Sequence, residues 1–128
     1  MSDSVVIGNA ADDGQAFRGW FVGHFVPPQL GLRSTDAIEV KFGTHSYGET
    51  RLGWAVSNQA TSLSLVVRGR IRLYFSTGAE TLLAEPGDYA LWQSGVAHRW
   101  RIEADDTVVL TVRWPSRPGD AAELSESG

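Results

Sequence analysis

One histidine in this sequence is placed where an imidazole could act on a bound molecule. Residues 87–100 read as a short apolar strand, a tight turn that ends at Gly95, and a second strand. His98 lies in the second strand, and strand alternation puts it on the same face as the apolar residues Trp100 and Ile102. An imidazole on an inward face either forms a hydrogen bond within the core or moves a proton near neutral pH. We therefore take His98 as the candidate acid–base residue.

The three histidines of the chain, His24, His45 and His98, are also its candidate metal ligands. A divalent metal site needs about three protein ligands. Three imidazoles would suffice if the fold brought them together, but nothing in their spacing requires it. The sequence contains no cysteine, which excludes thiolate metal sites, disulfides and thiol nucleophiles. We favour a site without a cofactor and keep a divalent metal held by these histidines as the alternative.

The elements that would position His98 are short strands. Turn-forming residues separate segments in which side chains alternate in character, at residues 38–42, 49–56, 61–67, 71–75 and 107–114. Residues 17–26 are aromatic-rich and read as a further strand, and no segment is a convincing helix. The pattern predicts an all-β sandwich or small barrel, with residues 61–67 as the best candidate for a central strand.

The overall composition is that of one soluble domain. The chain has 128 residues, of which 42% are hydrophobic, and this is enough for a core. Its net charge of −4 gives no basic surface for nucleic acid. We see neither a secretory leader nor an apolar run of about 18 residues, so we expect a cytoplasmic protein that makes no membrane contact. We expect an N-terminal arm (residues 1–15), a β-barrel domain (16–114) and a loose C-terminal tail (115–128).

The spacing of residues 87–98 resembles the second sequence motif of the cupin superfamily. That motif runs Gly, five residues, Pro, one residue, Gly, two residues and His. Gly87, Gly95 and His98 match it, and Gln93 stands where the family usually has Pro. The resemblance extends over residues 38–114 and implies a double-stranded β-helix, which is a jelly-roll barrel, in a single domain.

The first cupin motif is matched only at its glycines. It runs Gly, five residues, His, one residue, His, three or four residues, Glu, six residues and Gly. Gly48 and Gly69 fit its two glycines. Its histidines would correspond to Trp54 and Val56. Its glutamate, counted back from Gly69, would correspond to Ser62, although five residues separate Val56 from Ser62, one more than the motif has. Cupins usually hold a metal with three histidines and one glutamate, so the resemblance implies that only the histidine of the second motif is retained.

The cupin register turns the position of His98 toward the inside of the barrel. Residues on neighbouring inward positions would add aromatic rings and hydroxyl groups, which suits a small, flat or apolar organic ligand. The predicted pocket residues are Trp54, Ser62, Ser64, Trp92, His98 and Trp100. The opposing interpretation is that the tryptophans simply fill a small barrel.

Five charged residues on these strands remain to be placed. Glu49 and Arg51 share a strand face opposite Trp54, which predicts a surface ion pair. A bulge at Gly53 would instead turn both of them into the mouth of the pocket. Lys41 is open to the same two interpretations. Arg99 and Arg101 alternate away from His98 and are expected to face solvent.

Three functions are consistent with these residues. The first is a small-molecule-binding protein of cupin type, in particular a metal-independent isomerase or cyclase that uses His98 as acid or base. The second is a metal-dependent enzyme of dioxygenase type with a rearranged histidine set. The third is a non-catalytic dimeric sensor or structural domain. Four of the five side chains at residues 63–67 are apolar and they occupy both strand faces, which predicts cover on both faces and a homodimer to which the N-terminal third contributes.

Overall fold

A computed structural model describes residues 4–124 of the chain. In this part the chain forms two five-stranded antiparallel sheets, so the all-β prediction is confirmed. The ten strands are β1 (Trp20–Val22), β2 (Glu39–His45), β3 (Thr50–Ser57), β4 (Thr61–Arg68), β5 (Ile71–Phe75), β6 (Glu80–Leu83), β7 (Tyr89–Trp92), β8 (His98–Ile102), β9 (Thr107–Trp114) and β10 (Ala121–Leu124).

The strand order is that of a jelly roll. The first sheet has the order β1-β2-β9-β4-β7, and the second has the order β10-β3-β8-β5-β6. Several neighbours, such as β2 and β9, are far apart in sequence, as expected when hairpins fold over one another. β4, predicted as a central strand, lies between β9 and β7, and β9 occupies the middle of the sheet.

Three short helical segments precede β2 and were not predicted. α1 spans Ala10–Asp13, and two 3-10 helices span Gln15–Phe17 and Pro28–Arg33. The strand predicted for residues 17–26 is reduced to β1, because Arg18 (φ 56°) and Gly19 (φ 98°) adopt left-handed conformations through which a strand does not continue. No helix among residues 4–124 is long and apolar enough to cross a membrane.

The hydrophobic core lies between the two sheets. Side chains of β4 and β9 from the first sheet meet side chains of β5, β6 and β8 from the second. Burial of an aliphatic side chain of this kind contributes about 1.5–3 kcal/mol. The core residues, all exposed by 4% or less, are Val66, Ile71, Leu73, Leu83, Ile102 and Val109. Three of them also line the cavity described below, so the core forms its apolar wall.

The four glycines that match the cupin motifs all lie in turns with positive φ. The angles are 89° at Gly48, 91° at Gly69, 95° at Gly87 and 86° at Gly95. At Gly69 the requirement is also steric, because a Cβ there would overlap the side chain of Thr107. The glycine spacing therefore marks turns of the jelly roll, whether or not the metal ligands between the glycines are present.

The segment after Trp114 is ordered up to the last described residue, although we expected residues 115–128 to form a loose tail. Ala121–Leu124 form β10, which pairs with β3. Asp120 is buried and accepts hydrogen bonds from the backbone N–H groups of Gln59 (2.6 Å) and Ala60 (3.1 Å). Residues 125–128 and residues 1–3 of the expected N-terminal arm lie outside the described part.

Candidate functional site

A cavity of about 120 Å³ lies between the two sheets and is lined by residues of both. Its volume is slightly below that of a roughly 150 Å³ cavity that accommodates benzene, so it fits a compact ligand. The lining combines basic, hydroxyl and aromatic side chains. The lining residues are Trp20, Lys41, Gly43, His45, Arg51, Ala55, Ser64, Ile71, Leu73, His98, Trp100, Val109, Thr111 and Arg113.

Strand pairing explains how the polar side chains converge. In the first sheet Lys41 on β2 pairs with Thr111 on β9, and Thr111 pairs with Ser64 on β4. Residues paired directly across antiparallel strands point to the same face, so these three form one row across the cavity. Arg113 lies two residues from Thr111 on β9 and adds a second cation to the same face.

The second sheet contributes Arg51 and His98 through an irregular pairing of β3 with β8. Arg51 pairs with Trp100 and Ala55 pairs with His98, so three residues of β3 face a single residue of β8 between these pairs. This bulge is the alternative that we derived from Gly53, and it leaves Arg51 lining the cavity. Glu49 is not among the residues that line the cavity.

Among residues 4–124, three cations line the cavity, and no aspartate or glutamate does. Two of the cations have a carboxylate partner beside the cavity. Arg113 Nη1 lies 3.5 Å from Glu39 Oε2, and Arg51 Nη2 lies 3.2 Å from Glu123 Oε1. Among residues 4–124, no carboxylate lies within ion-pair distance of the third cation, Lys41. The lining itself is therefore positively charged.

The aromatic ring of Trp20 packs against two of these cations. Arg113 Cζ lies 4.7 Å and Lys41 Nζ 5.8 Å from the ring centroid. Contacts of this kind contribute about 0.5–2 kcal/mol when partly desolvated. They hold both basic groups at the first sheet without neutralising their charge.

Burial and mutual repulsion lower the pKa values of two of the basic groups. The pKa of Lys41 is lowered, first by burial and then by the positive charges of Arg113 and Arg51. Burial also lowers the pKa of Arg113, while Glu39 opposes this effect. A guanidinium remains protonated in proteins, so Arg113 is a permanent cation whereas the Lys41 amine is more easily deprotonated than a surface lysine.

His98 is neutral at physiological pH. Its pKa is lowered to about 4, first by burial and then by the charges of Arg113 and Arg51, and a hydrogen bond with the backbone of Ala55 partly opposes the change. The ring packs against Trp92 with the centroids 4.8 Å apart. The side chain is thus held in place as an uncharged imidazole.

Two buried side-chain polar atoms have no hydrogen-bond partner among the described residues. They are His98 Nδ1 and Arg51 Nε, and both residues line the cavity. A buried polar atom without a partner costs about 1–3 kcal/mol. A bound molecule with suitable polar groups would satisfy both atoms and recover this cost.

The predicted pocket residues fall into three groups. Ser64, His98 and Trp100 line the cavity. Ser62 is buried (2% exposed) on the inward face of β4, and Trp92 packs behind His98, but neither lines the cavity.

Trp54 lies outside the cavity, contrary to our expectation. The Arg99 guanidinium stacks on its ring, 4.7 Å from the centroid. We took the even-numbered residues of β3 as its inward face, but the structure turns Arg51 and Ala55 inward and leaves Leu52 75% exposed.

Two charged residues expected at the surface, Glu49 and Arg101, have partners outside the cavity. Glu49 does not pair with Arg51. It accepts hydrogen bonds from His45 Nδ1 (3.1 Å) and from the backbone N–H of Ser46, and these lower the pKa of its carboxyl. Arg101 faces away from the cavity, as expected, and pairs with Glu103 at 2.7 Å.

His24 lies apart from the other two histidines. Its Nδ1 is 2.6 Å from Ser116 Oγ, and Ser116 Oγ donates to Glu39 Oε1 at 2.8 Å. Because a hydroxyl has one proton, the donor in the first contact is His24 Nδ1. This buried chain fixes Glu39, which in turn contacts Arg113.

The cavity does not fit the divalent metal that the cupin resemblance implies. His45 and His98 line it, but the structure brings no third histidine to them. No group of three or more His, Cys, Asp or Glu side chains in residues 4–124 is arranged to hold a metal ion. Three cations at the same cavity would also repel a divalent cation.

Sequence reasoning missed part of the polar lining. Arg113, Thr111 and Trp20 were not considered, and Lys41 was left undecided. A signal was present in the sequence, since Lys41 alternates with Val40 and Phe42, and Arg113 alternates with Val112 and Trp114. Alternation does not show which face is inward, and in the structure the basic residues line the cavity.

Neither the known family models nor the curated proteins contain a match to this chain. Solved structures do match. KdgF from Halomonas sp. is 19% identical, with a TM-score of 0.58 over 66% of this chain and 74% of that one. An RmlC-like cupin from Shewanella frigidimarina is 17% identical, with a TM-score of 0.55 over 65% of this chain and 70% of that one.

A structure described as that of the DMSP lyases RdDddP and RnDddQII is 21% identical, with a TM-score of 0.63 over 94% of this chain. This chain spans 61% of the length of that one. A further match, from Klebsiella pneumoniae, is described as a protein with a double-stranded β-helix domain, at a TM-score of 0.61. The predicted resemblance is thereby confirmed, and the chain has the double-stranded β-helix fold of the cupins.

Proposed function

We propose that this protein binds a small organic anion, a carboxylate above all, in the cavity of the barrel. The observation that carries the proposal is the set of three cations, Lys41, Arg51 and Arg113, around a cavity that no carboxylate of the described residues 4–124 lines. An anion bound there would offset their mutual repulsion, and a carboxylate matches the fork of N–H donors on a guanidinium. The cavity volume restricts the ligand to a compact molecule.

The unpartnered polar atoms support the same ligand class. Arg51 Nε carries a hydrogen and can donate to a carboxylate oxygen. His98 Nδ1, on a neutral ring, can accept a proton or a hydrogen bond from a second group on the ligand. The site thus offers two different polar contacts, one for the charge of the ligand and one for its reactive part.

We further propose that His98 acts as the acid–base group in an isomerisation or cyclisation. Burial, together with the positive charges of Arg113 and Arg51, holds the pKa of His98 near 4, which makes it a weak base. A bound carboxylate would neutralise part of that positive charge and raise the pKa toward the useful range. His98 would then accept a proton from the carbon beside a carbonyl group, while the electron pair moves to the carbonyl oxygen near the cations. The same imidazolium would return the proton to another atom of the substrate.

Matched structures that are described as enzymes support catalysis in this fold, but they do not identify the reaction. The matched structures include proteins described as DMSP lyases. At 21% identity such a match defines the fold, and the reaction depends on the residues of the individual site. A bound ligand that is never turned over would instead favour the sensor interpretation.

The test is a comparison of propionate with its uncharged amide, propionamide, in a thermal-shift and calorimetric titration. We expect saturable binding of propionate and no binding of propionamide. Arg113→Met should weaken propionate binding about 10- to 100-fold, since a charge-assisted hydrogen bond contributes about 1.5–3 kcal/mol. Arg70→Met removes the same charge from an exposed position and is the matched control.

Two results would contradict the proposal. One is equal affinity of the wild-type protein for propionate and propionamide. The other is stoichiometric iron, nickel, manganese or zinc in protein purified without chelators, which would favour the metal-dependent alternative.

We also propose that the chain forms a homodimer through the outer face of the first sheet. On this face Leu63 pairs with Leu91, and Leu65 pairs with Tyr89. Leu91 and Tyr89 are 55% and 62% exposed, which leaves an apolar patch at the edge of the sheet. A second copy would cover it. Light scattering should give a dimer that Leu91→Glu converts to a monomer, and a monomeric wild-type protein would refute the proposal.

A further inference from the structure

We propose that Lys41 Nζ is a nucleophile that forms an imine with the carbonyl carbon of a small 2-oxo carboxylate bound in the cavity. This inference rests on the proposed carboxylate-binding function and assigns its substrate class. It also divides the three cations into two roles. The arginines bind the carboxylate, and the lysine reacts with the neighbouring carbonyl group.

Lys41 is the single lysine in the sequence, whose other ten basic residues are arginines. It could have been at any exposed position, where lysines are usually found. Instead it is on β2, half-buried, with its side chain lining the cavity. The one primary amine that a side chain of this protein offers is therefore placed at the candidate site.

The environment of Lys41 differs from that of the two arginines. Glu39 lies beside Arg113 and Glu123 beside Arg51, so both guanidinium groups are fixed by carboxylates. Among residues 4–124 no carboxylate lies within 4.0 Å of Lys41 Nζ. The amine lies 5.8 Å from the centroid of the Trp20 ring. An ion pair would hold the amine in its protonated form, and none is present in the described part of the chain.

Charge and burial act in the direction that an amine nucleophile requires. Burial and the adjacent Arg113 and Arg51 lower the pKa of Lys41, so a larger fraction of the amine is unprotonated at neutral pH than on a surface lysine. Desolvation and a neighbouring cation are the two devices by which proteins activate a lysine toward carbonyl substrates. Both are present at this residue.

The chemistry is balanced without any further reactant. The lone pair of Nζ attacks the carbonyl carbon, and the electron pair of the C=O bond moves to oxygen, which takes a proton. The resulting carbinolamine loses water, and a protonated imine remains. Overall, the amine, the oxo acid and one proton give the iminium ion and water. The iminium then withdraws electrons from the adjacent C–H bond, whose proton His98 Nδ1 in the same cavity can accept as an enamine forms.

The test is trapping with pyruvate and sodium cyanoborohydride, which delivers a hydride to the imine carbon and leaves a stable secondary amine. Intact-mass measurement should show one carboxyethyl group on the protein, and peptide mapping should place it on Lys41. The α-amino group of the chain is an internal reference for ordinary amine reactivity. We expect Lys41 to be labelled at least tenfold faster than this reference at neutral pH.

Three controls make the test specific. Lys41→Arg keeps the charge but removes the primary amine, so it should lose the cavity label. Arg113→Met should slow labelling by pyruvate about tenfold or more. Labelling by acetone, which has no carboxylate, should slow less than labelling by pyruvate, and its loss reports only the positive charge of Arg113 that lowers the pKa of Lys41.

The two proposals fail in different ways. Propionate binding by the wild-type protein, without a pyruvate adduct on Lys41, would refute the nucleophile and leave carboxylate binding intact. An adduct that forms on Lys41 equally fast in Arg113→Met and in the wild-type protein would refute the recognition of an oxo acid. If the wild-type protein bound no carboxylate at all, both proposals would be refuted.

Discussion

The burial of His98 makes the stability of this protein depend on pH. The imidazole has a pKa of 6.5 when exposed and of about 4 in the folded protein, because it is buried beside Arg113 and Arg51. Between these two pH values the unfolded chain binds a proton that the folded protein does not. The free energy of unfolding therefore falls as the pH falls from 6.5 toward 4.

The size of this effect follows from the two pKa values. Linkage gives a loss of about 2 kcal/mol between pH 7 and pH 5 for this one group. The rest of the chain also contributes to the pH dependence of stability, so the comparison must be made between variants. His98→Gln removes the titrating group and leaves the others in place.

The assay is urea denaturation of the wild-type protein and of His98→Gln at pH 7 and at pH 5. We expect the wild-type protein to lose about 2 kcal/mol more than the variant between the two conditions. Equal losses would refute the account of His98 as a buried neutral imidazole, as would a pKa for His98 near 6.5 by NMR.

Three further predictions concern the lysine, the turns and the core. The pKa of Lys41, measured by NMR after ¹³C methylation of its amine, should lie below 10.5, and a value at or above it would contradict the desolvated environment. Gly69→Ala should destabilise the protein by at least about 1 kcal/mol more than Gly78→Ala, since both glycines have positive φ but only at Gly69 would a Cβ overlap Thr107; equal losses would show that the clash is relieved. Leu73→Ala should lower the free energy of unfolding by about 2–5 kcal/mol, and a loss below about 1 kcal/mol would contradict its place in the core.

The strands and turns of the barrel could be predicted from the sequence because local rules determine them. Residues 107–114 alternate over eight positions and form β9 with the predicted bounds. Glycine at the motif positions provides the positive φ angles that the turns require. β10 was missed because Ala121–Leu124 is short, contains few residues favoured in strands, and is held in place by pairing with β3.

The inward face of each strand could not be predicted in the same way. Alternation separates two faces, but it does not say which one lines the barrel. The cupin register placed Ser64 and Trp100 on inward positions, and both line the cavity. For β2 and β9 alternation alone was available, and there the basic residues Lys41 and Arg113 face the cavity. A cavity that binds a polar ligand inverts the usual pattern, because its wall must provide hydrogen bonds.

The register of β3 is the second feature that alternation does not determine. Trp54 was placed inside by counting from Gly48, but the bulge between Arg51 and Ala55 decides which side chains reach the cavity. A bulge depends on the pairing partner, here β8, and leaves only a weak signal in one strand. Gly53 was that signal, and it supported the interpretation in which a bulge turns Arg51 toward the cavity.

The measurement that tests anion binding most directly is an NMR titration of the His98 imidazole with propionate. We predict saturable shifts of its resonances and a pKa raised above 4, because the carboxylate offsets the charges of Arg113 and Arg51. Arg113→Met should require about 10- to 100-fold more propionate for the same shift. Resonances of His98 that stay unchanged at saturating propionate would contradict the assignment of this cavity as the binding site.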